Sequence, residues 1–104
     1  MSEVNKHMDL IITLNDRFPT LAYEYDLTIN HSGGGCFHID MPLGKNTNVL
    51  INPFNKDIIY DVPKSVHDNC KFTITDKDQN ETNFEAGFEK GLKRCLRIKQ
   101  EKNI

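Results

Sequence analysis

The chain has 104 residues, 38% of them hydrophobic and 27% charged, with six glycines, four prolines and a formal net charge of −2. That length suits one domain, and the balance excludes a disordered tail, a collagen-like repeat and a membrane-spanning helix, which needs about 18 consecutive apolar residues. Acids slightly outnumber bases, so no global positive field recruits nucleic acid.

The first residues, Met1 to His7, lack the charged-then-apolar pattern of a signal peptide. Cys36, Cys70 and Cys95 are odd in number and widely spaced, unlike a disulfide framework. A single cytoplasmic domain over 1–104 is the expectation.

The spacing predicts a helix from Glu3 to Phe18. Val4, Met8, Ile11, Ile12, Leu14 and Phe18 share one broad arc, Ser2 is placed to cap the start, and Pro19 stops the run. From Leu21 to Ile29 the period becomes two, with Leu21, Tyr23, Tyr25, Leu27 and Ile29 on one side. That pattern predicts a half-buried strand. His31-Ser32-Gly33-Gly34-Gly35 interrupts it as an exposed hairpin connection. A second strand follows over Cys36 to Met41, with Phe37, Ile39 and Met41 on one face and Cys36, His38 and Asp40 on the other. Asn48 to Ile51 and Asp57 to Val62 read as a further hairpin, and Lys71 to Thr75 as a last strand with Phe72 and Ile74 inward. The closing element is a helix from about Asn83 to Lys102, with Thr82 and Glu85 as a capping box. Phe84, Phe88, Leu92, Cys95 and Leu96 make its apolar face. Gly87 and Gly91, four apart on the edge of that face, cost about 2 kcal/mol in helix propensity, which points to close approach of another element. The predicted fold class is α+β: an N-terminal helix, a four- to five-stranded antiparallel meander and a C-terminal helix, with both helices on one sheet face.

Four groupings carry possible chemistry. Cys36, His38, His67 and Cys70 have the donor set of a tetrahedral zinc site, but the tight Cys-x-x-Cys spacing is missing. A buried thiol and an exposed imidazole explain them as well, and no metal or cofactor is expected. Asp76-Lys77-Asp78-Gln79-Asn80-Glu81 opens like a calcium loop, yet its sixth position is Glu81 and its twelfth is Gly87. The glycine run lies between strands and lacks a following Lys-Ser or Lys-Thr, so it is a hairpin loop and not a phosphate cradle. Cys36 and His38 alternate on one strand face, but no third group orients them, and no catalytic residues are assigned.

Charge is unevenly spread. Residues 1–81 carry 7 bases and 12 acids, and residues 82–104 carry 6 bases and 3 acids. The acidic part predicts a partner-binding surface of Glu24, Asp26, His38, Asp40, Asp57 and Asp61, suited to a basic protein. The basic helix offers the alternative, contact with nucleic acid through Lys90, Lys93, Arg94 and Arg97. In outline the order helix, strands, helix resembles the double-stranded-RNA-binding fold. Where that fold carries a basic Lys-Lys-x-x-Lys cluster, this chain has Glu81, Thr82, Asn83 and Glu85. The favoured expectation is therefore a small non-catalytic inhibitor or immunity-type protein, monomeric or homodimeric through groups such as Leu50 and Phe54. Ten lysines against three arginines suggest a low-GC bacterial or phage source.

Overall fold

The computed structural model describes residues 3–33, 36–53 and 62–101, with the side chains of 7–30, 37–52 and 62–101. Helix α1 (Glu3–Arg17) and a short α2 (Pro19–Glu24) precede five strands, β1 (Thr28–Gly33), β2 (Cys36–Gly44), β3 (Thr47–Pro53), β4 (Asn69–Thr75) and β5 (Glu81–Gly87). Helix α3 (Phe88–Glu101) closes the order. The strands pair antiparallel in sequence order, as the predicted meander requires. The predicted strand 57–62 lies outside the described residues except for Val62, which is buried.

One sheet face is covered. Ile29, Phe37, Ile39, Met41, Val49, Ile51, Cys70, Phe72 and Ile74 are all buried. They alternate with polar residues on the other face, the pattern of an antiparallel sheet with one wet side. Leu10, Leu14 and Phe18 from α1 and Phe88, Leu92 and Cys95 from α3 complete one hydrophobic cluster. The Phe18 and Phe88 rings, 5.0 Å apart, join the two ends of the chain. His7 caps the seam, donating to the Ile29 carbonyl and stacking on Phe37 at 5.4 Å.

Two predicted elements are corrected. Residues 21–26 are not strand. Pro19 stands at the start of α2, where its fixed φ and missing N–H suit a first helical turn. Leu21, Ala22 and Tyr25 are buried, while Tyr23 is 89% exposed. The alternation of Leu21, Tyr23 and Tyr25 thus concealed a helical pattern at i, i+1 and i+4. Helix α2 ends in a Schellman motif: Leu27 N–H donates to the Ala22 carbonyl at 2.9 Å and Asp26 N–H to the Tyr23 carbonyl at 3.4 Å. Asp26 takes the left-handed position with φ of 54°. Asp26→Gly is expected to stabilise the fold by up to about 1 kcal/mol, and Asp26→Val to destabilise it, in thermal melts. Equal melting temperatures would remove the cap from the account.

The second correction is at residues 81–87, where the predicted helix start is strand β5. Thr82, Phe84 and Ala86 face inward opposite Ile74, Phe72 and Cys70, and Glu85 pairs with Lys71 instead of capping a helix. The tight turn at 76–80 delivers the chain to the β4 edge. Asp76 Oδ1 accepts from the Asp78 and Asn80 amides, and Gln79 adopts φ of 65°. Helix α3 begins where another segment supplies acceptors. Phe88 N–H donates to the Asp68 carbonyl and Glu89 N–H to that of Val66, at 2.9 and 3.0 Å. These bonds satisfy amides that a helix start leaves open.

Candidate functional site

The open sheet face carries polar residues from all five strands. Strand register places Thr28, Asp40, Leu50, Thr73 and Asn83 in one row across all five strands. Asn52, Lys71 and Glu85 lie on one side of that row, and Pro42, Asn48, Thr75 and Glu81 on the other. Its charges among the described residues are Asp40, Glu81 and Glu85 against Lys71, so the face is anionic when His38 is neutral. Thr73 donates its hydroxyl to Asn83 Oδ1 at 2.7 Å, one of the cross-strand bonds that stiffen the surface.

Asp40 is the focus. Asn30 Nδ2 donates to its Oδ2 at 2.9 Å, and His38 Nε2 lies 3.9 Å from the same oxygen. The His38 and Asp40 side chains are only 11% and 22% exposed. The other oxygen, Asp40 Oδ1, is buried with no hydrogen-bond partner among the described residues. A carboxylate oxygen in that state is costly and invites a donor. Burial lowers the His38 pKa, and the Asp40 charge opposes that shift only in part, so the imidazole is neutral near pH 7. The arrangement is a carboxylate with one oxygen held by Asn30 and the other buried without a donor among the described residues.

No known protein family matches the chain, no curated protein is significantly similar to it, and no solved structure matches its fold.

The other predicted positions belong to other elements or lie outside the described residues. Glu24 and Asp26 are exposed, but they sit at the end of α2 and in its cap and not on a strand. Glu24 and Asp26 are therefore not strand neighbours of Asp40, and Glu81 and Glu85 bring further negative charge to its face. These two were hidden by the helical assignment, and only their alternation with Thr82, Phe84 and Ala86 signalled them. Asp57 and Asp61 lie outside the described residues.

The tetrahedral set also separates. Cys70 points into the covered face while His38 lies on the open one. Among the described residues no three His, Cys, Asp or Glu groups come together as metal ligands. Asp76, first in the calcium-like run, uses Oδ1 to hold the turn.

Lys90, Lys93, Arg94 and Arg97 are exposed on α3. Arg94 is engaged, its guanidinium 4.4 Å from the centre of the Phe84 ring, a cation–π contact. Glu81, Thr82, Asn83 and Glu85 are in a strand and not at a helix start, so the topological likeness to the RNA-binding fold weakens further.

Cys70 and Cys95 are fully buried, and burial pushes both thiols up to about 12. Neither forms a thiolate nucleophile near neutral pH. The folded state holds these protons to higher pH than the unfolded chain, whose thiols titrate near about 8.5. This stabilisation is complete below that pH and is lost as pH rises toward 12. Stability is expected to fall by up to about 1.4 kcal/mol per pH unit per thiol across that window. Urea melts from neutral to strongly alkaline pH check it, and Cys70→Val with Cys95→Val should flatten the slope. An unchanged slope would assign the alkaline loss to other groups, Tyr25 first, whose pKa burial also raises.

Proposed function

We propose that the protein is a non-catalytic binding module that recognises a basic protein through the open face of its sheet. The observation that carries this reading is the buried Asp40 Oδ1, without a partner among the described residues, on β2 of that face. A guanidinium or ammonium from the partner would donate to Oδ1 while Asn30 retains Oδ2. Glu81 and Glu85 extend the complementary field, which speeds association and favours basic surfaces. In the inhibitor or immunity-type role expected from the sequence, this face would cover the basic surface of an enzyme or toxin.

Asp40→Asn tests the reading with little change of shape, because the amide oxygen still accepts from Asn30. Folding should be unchanged and affinity should fall on the order of 100-fold, the scale for truncating one side of a buried charged pair. Affinity capture from source-cell lysate after nuclease treatment provides the partner. One stoichiometric protein retained by the wild type and lost with Asp40→Asn is the expected result. Retention by both would exclude the sheet face. Loss of all bound material on nuclease treatment would favour nucleic-acid contact through Lys90, Lys93 and Arg97, with binding that weakens steeply with salt.

A further inference from the structure

Among the described residues the large apolar side chains left exposed are Met8, Ile11 and Ile12 on α1, Tyr23 on α2 and Leu96 on α3, and none belongs to a strand. Uncovered apolar surface thus gathers on the helix layer and not on the open sheet face. On α1, burial of Leu10, Leu14 and Phe18 turns Met8 and Ile12 outward, and at about 100° per residue Asp9 and Asp16 fall beside them along one edge. Both acids are exposed, whereas Arg17 donates to the Val62 carbonyl at 3.2 Å. On α3, burial of Phe88, Leu92 and Cys95 turns Lys90, Lys93 and Arg97 outward, with Leu96 along one edge.

The two outer surfaces complement each other. Each carries an apolar edge beside a charged one, acidic on α1 and basic on α3. Asp9 and Asp16 are two helical turns apart, as are Lys90 and Arg97, about 10.5 Å along each axis. An antiparallel alignment matches both features at once: Asp9 meets Arg97, Asp16 meets Lys90, and Leu96 falls between Met8 and Ile12. A parallel alignment would set the apolar edge against the charged one. The two helices cannot make this contact within one chain, because both turn their inner faces to the same core. Phe18 and Phe88 join the C-terminal end of α1 to the start of α3. A two-fold axis through that seam lays each α1 antiparallel along the α3 of a second copy.

We propose that the helix layer is a homodimer interface in which α1 of each copy docks on α3 of the other. Asp9 pairs with Arg97 of the partner subunit, Asp16 pairs with Lys90 of the partner subunit, and Leu96 of the partner subunit covers Met8 and Ile12. The charged pairs set orientation and register, while apolar contact supplies the attraction. The open sheet face and Asp40 take no part, so the dimer can stand or fall independently of the binding function proposed for that face.

Sedimentation equilibrium of the full chain from micromolar to millimolar concentration tests the interface. A reversible monomer–dimer equilibrium is expected, weakened by salt. Ile12→Asp should weaken it at least about tenfold, since it carries a charge into the apolar edge. Asp9→Lys with Asp16→Lys should abolish it, and so should Lys90→Glu with Arg97→Glu, because each sets like charges face to face. All these positions are exposed, and an unchanged circular dichroism spectrum shows that each variant folds. Mixing the two charge-reversed chains should restore association as a heterodimer, since both of its contacts again join opposite charges. A wild type that stays monomeric throughout would overturn the proposal and leave the apolar stripe to a different partner. A dimer that survives either reversal would overturn it too, as would two reversed chains that fail to associate when mixed.

Discussion

Gly91→Ala is expected to destabilise the fold by about 3 kcal/mol, the upper part of the overpacking range. In an exposed helix the same change would stabilise by about 1 kcal/mol through helix propensity. Here an added Cβ would stand 2.0 Å from Phe72 Cζ and 2.1 Å from Cε1. The ring cannot easily move away. Phe72 is fully buried and stacked on Phe84 at 5.0 Å. For a domain of this size the loss corresponds to a fall in melting temperature of roughly 10–20 °C. Phe72→Leu removes the ring atoms that the new Cβ would meet. Combined with Gly91→Ala, it should cost less than the sum of the two single changes, a coupling of about 1 kcal/mol or more. A higher melting temperature for Gly91→Ala would show that α3 does not lie on Phe72. Gly87, the other glycine assigned to this helix, is a milder case. It ends β5, and a Cβ there would be 3.3 Å from the His67 carbonyl oxygen.

The second large effect contrasts two neighbouring residues of α1. Leu14 is fully buried, whereas Ile12 is 54% exposed. Leu14→Ala should cost about 3–5 kcal/mol, since it removes apolar contact and leaves a cavity against the sheet. Ile12→Ala should stay within about 0.5 kcal/mol. Urea midpoints with unchanged slopes would measure both. Comparable losses at the two positions would mean that α1 is rotated relative to the sheet. Met8, at 56% exposure, and Ile11, at 37%, belong to the same outward stripe as Ile12. The broad apolar arc read from the sequence is therefore two stripes. Leu10, Leu14 and Phe18 make the core stripe, while Met8, Ile11 and Ile12 face solvent.

On the proposed function, the Asp40 centre is the feature by which a small sheet would recognise its partner. Backbone register sets Asn30 opposite His38, one strand over, and Thr28 opposite Asp40. The hydrogen bond from Asn30 then holds the carboxylate in one orientation. Such preorganisation lowers the ordering cost of binding. Protonating His38 would set a positive charge beside the expected cation. Its lowered pKa keeps that from happening until the solution is more acidic than the usual histidine range.

Much of this architecture was written locally in the chain. The alternation of Phe37, Ile39 and Met41, and of Phe72 and Ile74, identified strands and their inward faces, because a pleated strand sends successive side chains to opposite sides. The Asp40 and His38 pairing on one face was legible for the same reason. The glycine spacing correctly signalled a close approach at Gly91, though it could not name Phe72 as the neighbour. Tertiary structure determined the rest. Residues 81–87 satisfied both a capping box and a period-two strand. The free β4 edge and the acceptors at Val66 and Asp68 moved the helix start to Phe88. Residues 19–26 likewise fitted two periods, and burial of Ala22 rather than Tyr23 selected the helix. Local pattern limits which faces can be buried, but only packing against distant segments selects among faces that fit equally well. The orphaned oxygen of Asp40 arises at that level, where residues far apart in sequence define one surface.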